Sequence, residues 1–399
     1  MQAIKKDNWS DLFWRLAQEL KTGPVLIILD EITWMGDKDP SFLSKLKNIW
    51  DLYLSKNDQL ILAISGSLSA WIDKNILSST GYLGRVTLEM DLEELPLYDC
   101  LAFWEGVGHG VSAFEKLKVL AVTGGVPRYL ENIDPHQSAE DNIRRLCFTK
   151  NSMLSKEFER VFSDLYNKNS MVYESIIRCL ADGVADQDTI AEKIDIQRGS
   201  YLSNCLDDLV LSGFISRDYT WSIKNGVYSK LSHYRLKDNY SRFYLKYIQP
   251  NLVNISLGNF QDKAINELSG WYSIMALQIE NIIISNRRLI QNALGIKPSD
   301  IVCDNPYFQR ETTRGKGCQV DYMIQTKEGM LYICEIKYSK KEITTKVITE
   351  MKEKIKRLNL PKHYSYRCVL IHANSVSEAV EDSQFFTRII DFTTLMTRD

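Results

Sequence analysis

The sequence predicts an α/β protein with more than one domain, and three observations lead to this prediction. The chain has 399 residues, which at about 100 to 200 residues per domain corresponds to two or three domains. Near the N-terminus, two aliphatic segments flank a helical segment, as in a βαβ unit. Towards the C-terminus, two strand-like segments surround a short turn and precede a helix.

The composition excludes fibrous and wholly disordered proteins. Hydrophobic residues make up 44% of the chain and charged residues 25%, with 20 Gly and 9 Pro, as in an ordinary globular protein. Lys and Arg total 49 against 51 Asp and Glu, so the formal net charge is −2. This charge gives no chain-wide attraction for nucleic acid, and any such surface must be local.

The sequence gives no sign of a membrane span or a zinc site. The longest aliphatic run covers Val25 to Leu29, far short of the roughly 20 residues that cross a bilayer. The segment from Met1 to Trp9 lacks the apolar stretch of a signal peptide. We therefore expect a cytoplasmic protein. The eight cysteines form no Cys-x-x-Cys pair, and we expect them to be small core residues.

The first block, residues 1–135, contains the βαβ pattern. The aliphatic run from Val25 to Leu29 predicts a parallel strand covered on both faces. A helical stretch, 41–54, and a second strand, Leu60 to Ile64, follow. Ligands of such sheets bind at the carboxyl ends of the strands. We therefore expect the residues that follow the two strands to converge on one crevice: Asp30, Glu31 and Ser65 to Ser67.

The order of motifs in this block resembles the archaeal-type P-loop ATPase family of the AAA+ and STAND grouping, over about Pro24 to Arg242. The aliphatic strand ending in Asp30-Glu31 resembles a Walker B motif, although acids also occur wherever a buried strand meets solvent. The resemblance implies that Asp30 holds Mg²⁺ and Glu31 orients a water. It also implies sensor-1 positions and two arginines that face a nucleotide phosphate, namely Ser65, Ser67, Arg85 and Arg128.

The resemblance also implies a Gly-x-x-x-x-Gly-Lys-[Ser/Thr] motif upstream of Asp30, and no such motif occurs in the sequence. That loop supplies the backbone N–H groups and the lysine that hold phosphates. We therefore expect ATP binding by this chain to be weak or absent. The chain is interpreted as a truncated P-loop remnant without its N-terminal ATPase portion. Apolar surface exposed by the missing strands would favour homo-oligomers.

The middle block, residues 169–257, predicts a winged-helix module after a helical extension to about residue 168. Two helices precede a third with an apolar stripe from Leu202 to Val210, and a hairpin with an Asn225-Gly226 turn follows. In a major groove, the third helix and the hairpin would present Gln197, Arg198, Ser200, Tyr201, Asn204, Lys224 and Lys230 to DNA. A protein-contact role is an equal alternative, because the helix also carries Asp207 and Asp208.

The last block, residues 258–399, contains the strongest candidate site. Two strand-like runs, 319–324 and 331–337, flank a turn at Lys327-Glu328-Gly329. A three-residue turn centred on Glu328 makes paired residue numbers sum to 656, which sets Asp321 opposite Glu335. A compensating bulge in the hairpin is the alternative that gives the same pairing. Period-two alternation places Glu335 and Lys337 on the same face.

Two carboxylates about 4 Å apart repel each other by roughly 4 kcal/mol at an effective dielectric constant of 20. A hard divalent cation, Mg²⁺ or Mn²⁺, would remove this repulsion, so Asp321 and Glu335 are the candidate metal ligands. Lys337 would act as catalytic base or as stabiliser of phosphate charge. An exposed Glu-x-Lys is also common as a solvated pair.

The spacing of Asp321, Glu335 and Lys337 resembles the PD-(D/E)XK nuclease family, which has a restriction-endonuclease-like α/β fold. The resemblance implies an auxiliary acid on a preceding helix, and Glu280 matches that position. A helix follows at about 345–359, with Lys352, Lys354, Lys356 and Arg357 expected to face outward. Lys and Arg exceed Glu by six between Leu331 and Arg367, which gives a local surface for a polyanion.

These observations favour metal-dependent cleavage of a nucleic-acid backbone, DNA in the first instance. The alternative is a non-catalytic DNA-binding or regulatory ATPase-like protein, whose tail only grips the backbone. ATP hydrolysis follows from the family resemblance and is opposed by the absent phosphate loop.

Overall fold

The structure of the protein, a computed structural model, is mixed α/β with several sheets, which confirms the predicted class. It describes residues 9–67, 69–106, 110–166, 170–260, 263–311, 313 and 316–396. The predicted boundary between residues 168 and 169 lies outside these residues. The chain forms two compact units, Met1–Leu92 and Glu93–Asp399. In the described part of the chain, every helix is too short or too polar to span a membrane.

The first unit consists of helices around a two-stranded parallel sheet. Its elements are α1 (Trp9–Glu19), β1 (Val25–Leu29), α2 (Ile32–Lys38), α3 (Phe42–Leu52), β2 (Leu60–Ile64) and α4 (Ser69–Ile72). β1 and β2 pair in parallel, from Val25 opposite Leu60 to Leu29 opposite Ile64. The predicted βαβ unit is therefore present, with α2 and α3 between its strands.

One face of this small sheet is open. Leu26, Ile28 and Ile61 are 61%, 62% and 64% exposed, whereas the other face packs on a core that includes Phe42 and Leu46. The prediction that β1 is covered on both faces is wrong. A continuous aliphatic run shows that neither face is polar, but it does not show that each face has a cover. The open face is the exposed apolar surface that we expected in this block.

The second unit contains the remaining helices and two further sheets. Its helices before the last sheet are α5 (Leu97–Cys100), α6 (Ala113–Thr123), α7 (Pro127–Leu130), α8 (Ala139–Cys147), α9 (Met153–Tyr166), α10 (Ser170–Leu180), α11 (Gln187–Lys193), α12 (Ser200–Leu211), α13 (Asn239–Phe243), α14 (Leu252–Ser256), α15 (Trp271–Ser285) and α16 (Arg287–Ala293). The other elements are β3 (Ile215–Ser222), β4 (Val227–Leu236), β5 (Ile301–Gln309), β6 (Cys318–Thr326), β7 (Met330–Lys337), α17 (Lys346–Arg357), β8 (Ser365–His372), α18 (Glu378–Asp382) and β9 (Arg388–Asp391).

Helices α10 to α12 and the hairpin β3–β4 form where the sequence predicts helices and a hairpin. On α12, Leu202, Cys205, Leu206 and Leu209 are buried, as the apolar stripe predicts. β3 and β4 pair in antiparallel fashion, and Gly226 in their turn has φ +66°, which glycine adopts without strain.

The hairpin packs against the edge strand β5 instead of projecting into solvent. The Thr220 hydroxyl donates to the Phe308 carbonyl at 2.6 Å, and the Trp221 indole N–H donates to the Gln325 side chain at 2.6 Å. A Cβ atom at Gly226 would lie 2.4 Å from Val302 Cγ1. The hairpin turn therefore packs against Val302 of β5 and is not a free wing. Lys224 in the same turn remains exposed.

The largest sheet has the strand order β5-β6-β7-β8-β9. β5, β6 and β7 are antiparallel, whereas β7, β8 and β9 are parallel, with α17 in the connection from β7 to β8. Leu331 and Ile333 pack in the core cluster that includes Val347 of α17. Cys334 and Ile336 pack in the cluster that includes α15. The sheet is thus covered on both faces, and odd-numbered residues of β7 face α17.

A buried polar network holds α15 against the hairpin. Arg235 on β4 donates to Asp218 on β3 at 2.9 Å and to Asn281 on α15. Arg235 and Asp218 are 7% and 5% exposed. The Asn281 amide donates to the Leu236 carbonyl at 2.8 Å. This network fixes the register of α15, the helix that carries Glu280.

Replacing Arg235 by Met should lower the free energy of unfolding by about 3–5 kcal/mol, because the change leaves the Asp218 carboxylate buried without its partner. Urea unfolding followed by circular dichroism measures this loss. The control is Arg178→Met, which removes an exposed pair with Glu174 and should change the free energy by about 1 kcal/mol or less. Equal losses in the two variants would contradict the assigned role of the buried pair.

Candidate active site

The register of β6 and β7 is the one that the turn length predicts. The four pairs from Tyr322–Cys334 to Gln325–Leu331 each sum to 656. The strands are joined by the three residues 327–329, and Gly329 has φ +73°. Asp321 and Glu335 occupy the next positions when this register is extended beyond Tyr322 and Cys334. The predicted arrangement of the hairpin is therefore confirmed.

The two carboxylates converge on one lysine ammonium group. Lys354 Nζ on α17 lies 2.6 Å from Glu335 Oε2 and 3.3 Å from Asp321 Oδ1. The second Asp321 oxygen, Oδ2, accepts the Ile336 backbone N–H at 2.8 Å. The second Glu335 oxygen, Oε1, lies 3.0 Å from Lys337 Nζ. The two acids are therefore held in one site by contacts from β7 and α17.

The contacts continue along α17 as a row of alternating charges. Lys337 Nζ lies 3.1 Å from Glu350 Oε2, and Glu350 Oε1 lies 3.6 Å from Lys346 Nζ. We call six side chains the charge row, in this order: Asp321, Lys354, Glu335, Lys337, Glu350 and Lys346. Three acids and three lysines alternate in it, so its formal charge is zero.

The buried carboxylate of Glu335 is the centre of this row. Glu335 is 2% exposed, and burial, followed by the field of Asp321, raises its pKa. Burial alone would lower the pKa of Lys337, but Glu335 and Glu350 outweigh this and raise it. Lys337 is therefore protonated at neutral pH, which fits a stabiliser of phosphate charge better than a general base.

The expectation that Lys354 faces outward is wrong. Burial would lower its pKa, but Asp321 and Glu335 reverse the effect and raise it, so Lys354 stays charged in the site. Its side chain is 26% exposed. The sequence contained a signal for this position, because Lys346, Glu350 and Lys354 are spaced four residues apart and share one stripe of α17.

Glu280 is an electrostatic neighbour of Asp321. It lies on α15 and is half-buried. Burial and the charge of Asp321 raise the pKa of Glu280 to about 7, while Arg235 and Arg242 partly offset the rise. The structure thus brings together Asp321, Glu335 and Lys337, with Glu280 within electrostatic range. A carboxyl group with this pKa can give or accept a proton near neutral pH.

A cleft of about 940 Å³ lies beside the charge row. Both strand and helix residues line it: His233, Phe308, Gln309, Arg310, Gly317, Cys318, Gln319, Asp321, Lys346, Thr349, Glu350, Glu353, Lys354 and Arg357. The His233 ring from the hairpin stacks on Phe308, with 3.6 Å between the ring centroids. Arg310 and Arg357 add positive charge to the lining of the cleft.

The donor set of the site fits a hard divalent cation. In the described parts of the chain, no three acidic, His or Cys side chains form a metal cluster, and the site offers two carboxylates. Mg²⁺ is commonly held by one or two carboxylates, with water and substrate phosphate in the other positions. The Lys354 ammonium stands where Asp321 and Glu335 would share such a cation.

In the first unit, the predicted convergence at the strand ends is present. The Ser65 hydroxyl donates to Asp30 Oδ1 at 2.5 Å, and the Ser67 hydroxyl donates to Glu31 Oε2 at 2.9 Å. The four side chains therefore meet at the carboxyl edge of β1 and β2, and these exposed polar groups could reach a cation or phosphate.

The two candidate arginines have other partners. Asp51 holds the Arg85 guanidinium in a bidentate pair, at 2.7 Å and 2.9 Å. Arg128 belongs to the second unit, where it is 74% exposed and lies 3.8 Å from Glu131. The structure therefore brings Asp30, Glu31 and Ser65 together, and it places Arg85 in an ion pair instead of leaving it open for a phosphate.

Comparison with known proteins gives one similarity and no family. No family model matches the chain. The chain is similar to an uncharacterized protein, MJECL04, of Methanocaldococcus jannaschii, with 28% identity over 276 residues. The match covers 65% of this chain and 56% of the relative, so the chain spans about half the length of the curated relative it matches.

The raised pKa of Glu280 predicts a pH-dependent stability. Folding favours the protonated form, so Glu280 contributes less to stability as the pH rises from its unfolded value near 4.5 through about 7. The change in the free energy of unfolding on replacing Glu280 by Gln, variant minus wild type, should therefore be more positive at pH 8 than at pH 5. Urea unfolding with a chelator present measures this difference. The control is Glu267→Gln, at an exposed position, which should show no such pH dependence. If Glu280→Gln also shows none, the raised pKa of Glu280 is contradicted.

Proposed function

We propose that this protein hydrolyses phosphodiester bonds of nucleic acid, DNA in the first instance, and that the reaction requires Mg²⁺ or Mn²⁺. One observation carries the proposal. Asp321 and Glu335 meet from neighbouring strands at a single cation position, next to Lys337 and beside a cleft of about 940 Å³. The same arrangement of residues supports the resemblance to the PD-(D/E)XK nuclease family.

Each residue of the site has a chemical role in this proposal. Asp321 and Glu335 would hold the divalent ion, which supplies Lewis-acid stabilisation of a phosphate oxygen. Lys337 stays protonated and offsets negative charge that develops on the phosphate. Glu280 has a pKa of about 7 and acts as an auxiliary acid that can exchange a proton near neutral pH.

The charges around the cleft support a polyanionic substrate. The whole chain has a net charge of −2, so attraction for nucleic acid must come from a local surface. Arg310 and Arg357 line the cleft, and both side chains are exposed. Arg310 pairs with Asp186 at 2.9 Å but keeps 46% of its side chain exposed, whereas the side chain of Arg85 is 30% exposed. A phosphate backbone in the cleft would contact these two arginines while one phosphate approaches Asp321.

The helices α10 to α12 and the hairpin support a winged-helix module as a second contact for DNA. Gln197 and Arg198 just before α12, and Tyr201 and Asn204 in its first turns, are exposed, where a recognition helix meets base edges. The hairpin contributes differently from a free wing, because its turn rests on β5 and its His233 lines the cleft. The module and the cleft can thus bind the same nucleic acid.

A second candidate function is backbone binding without cleavage. The three lysines of the charge row neutralise its three acids, so the site needs no metal ion for stability. This favours a protein that binds nucleic acid without cleaving it. Chelator separates the two functions. Cleavage that stops with EDTA supports the nuclease, whereas salt-dependent binding that ignores EDTA and never cuts supports the binding protein.

For the first unit, we propose a P-loop ATPase-like fold in which ATP binding is weak or absent. The ion pair between Arg85 and Asp51 supports this proposal, because that arginine is not open to a phosphate. A nucleotide dissociation constant in the micromolar range would contradict it. The exposed apolar face of Leu26, Ile28 and Ile61 supports a protein partner, such as a second copy of the chain.

Replacing Lys337 by Ala should lower metal-dependent DNA cleavage by about 100-fold or more, because the site loses its stabiliser of phosphate charge. The fold should persist, since Lys354 still pairs with Glu335. Plasmid nicking with Mn²⁺, with and without EDTA, measures the loss. Lys297→Ala removes an exposed lysine outside the charge row and the cleft lining and should cut normally. Undiminished cutting by Lys337→Ala would remove this residue from the mechanism.

Replacing Arg310 or Arg357 by Ala should weaken DNA binding by a similar factor for all sequences. The slope of log affinity against log salt concentration should fall by about 1 for each charge removed. Fluorescence anisotropy with a labelled oligonucleotide measures both quantities. The matched control is again Lys297→Ala, and an equal change of slope in this variant would show that the arginines of the cleft have no special part in binding.

A further inference from the structure

We propose that Lys354 is a built-in competitor of the metal ion: its ammonium group occupies the cation position between Asp321 and Glu335, and a divalent ion binds only as Lys354 leaves. This inference rests on the proposed function, because it takes Asp321 and Glu335 as the residues that hold the ion. It adds a positioning residue that the sequence pattern of acids and lysine does not contain.

The contacts of Lys354 show which carboxylate oxygens a divalent ion would compete for. Its Nζ atom lies 2.6 Å from Glu335 Oε2 and 3.3 Å from Asp321 Oδ1. The other oxygen of each acid is already engaged, by Lys337 Nζ on Glu335 and by the Ile336 N–H on Asp321. Lys354 therefore contacts one oxygen of each acid, at the position where a shared cation would compete with it.

The charge balance opposes simultaneous binding of both cations. Asp321, Glu335, Lys337 and Lys354 have a combined formal charge of zero, and a divalent ion added to them would bring it to +2. Two cations that share the same two oxygens repel each other at short distance. Without the Lys354 ammonium, the combined charge of the site is −1, which favours binding of a divalent ion.

The Lys354 side chain can move into the adjacent cleft when it leaves the two acids. It lines the cleft together with Glu350 and Glu353, and a lysine carries its charge on a flexible four-carbon chain with three rotatable donors. An ammonium group released from Glu335 would face the space where the proposed function puts a phosphate. Metal entry and nucleic-acid binding would therefore support each other, because the phosphate takes over the lysine that the metal displaces.

Replacing Lys354 by Met tests the competition directly, because Met keeps most of the stem and removes the charge. The affinity for Mn²⁺, measured by calorimetry on the full chain without nucleic acid, should rise by about tenfold or more relative to wild type. Lys356→Met is the matched control. Lys356 lies on the same helix, is 71% exposed and pairs with Glu353, so its loss should leave the Mn²⁺ affinity unchanged.

A second variant separates charge from the shape of the side chain. Lys354→Arg keeps a cation between the two acids and should retain the wild-type Mn²⁺ affinity. If Lys354→Met does not fold, as judged by circular dichroism, Lys354→Gln can donate an amide N–H to the same oxygens and should show the same gain in affinity.

The outcomes distinguish this inference from the proposed function. Equal or weaker Mn²⁺ binding by the folded Lys354→Met or Lys354→Gln protein, with binding by wild type, overturns the competition and leaves the metal site standing. If wild type and both neutral variants bind no Mn²⁺ at millimolar concentration, the metal-dependent function fails, and the competition fails with it.

Discussion

The burial of one carboxylate, that of Glu335, governs the structure of the second unit's candidate site. A buried charge loses its hydration, which costs several kcal/mol unless other groups replace the water. Here the two lysines that replace it come from different elements: Lys337 from the same strand and Lys354 from α17. The charge therefore ties the strand β7 to the helix that follows it. Without α17 in this position, Glu335 would be a buried anion with a single partner.

The same constraint explains why the unit joins elements that the sequence assigns to different blocks. Glu280 reaches the site from α15, and α15 is held by Asn281 and Gln278, which bond to Arg235 and Arg242 in the block of the hairpin. The hairpin in turn bonds to β5 through Thr220 and to Gln325 on β6 through Trp221. The polar groups at the site and those of the hairpin thus form neighbouring parts of one folded body, Glu93–Asp399.

The parts of this arrangement that depend on local geometry could be predicted from sequence. The length of the turn at residues 327–329 sets the register of β6 and β7, and the period of two sets the faces of Glu335 and Lys337, so the pairing followed from a few residues. The apolar stripe of α12 was visible for the same reason.

The parts that depend on tertiary contacts could not be predicted. The aliphatic sequence of β1 does not tell whether both faces have a cover, and Leu26 and Ile28 are exposed. The charge of Lys354 predicted a solvent-exposed side chain, but Lys354 instead pairs with the buried carboxylate of Glu335 on β7. The contact of the hairpin turn with Val302 joins residues about 76 positions apart in the sequence, as Gly226 and Val302 show, and no local pattern encodes it.

The zero charge of the row bears on how such a site can remain folded and still act. A cluster of acids prepared for a divalent ion is destabilised by their mutual repulsion whenever the ion is absent. In this protein, lysines alternate with the acids, so the site is balanced before any ion arrives. In the proposed mechanism, stability and metal affinity oppose each other, because the divalent ion would have to displace Lys354, which stabilises the two acids. Glu335 is 2% exposed, so a divalent ion that displaced Lys354 would also have to replace the charge that this lysine supplies to the buried carboxylate.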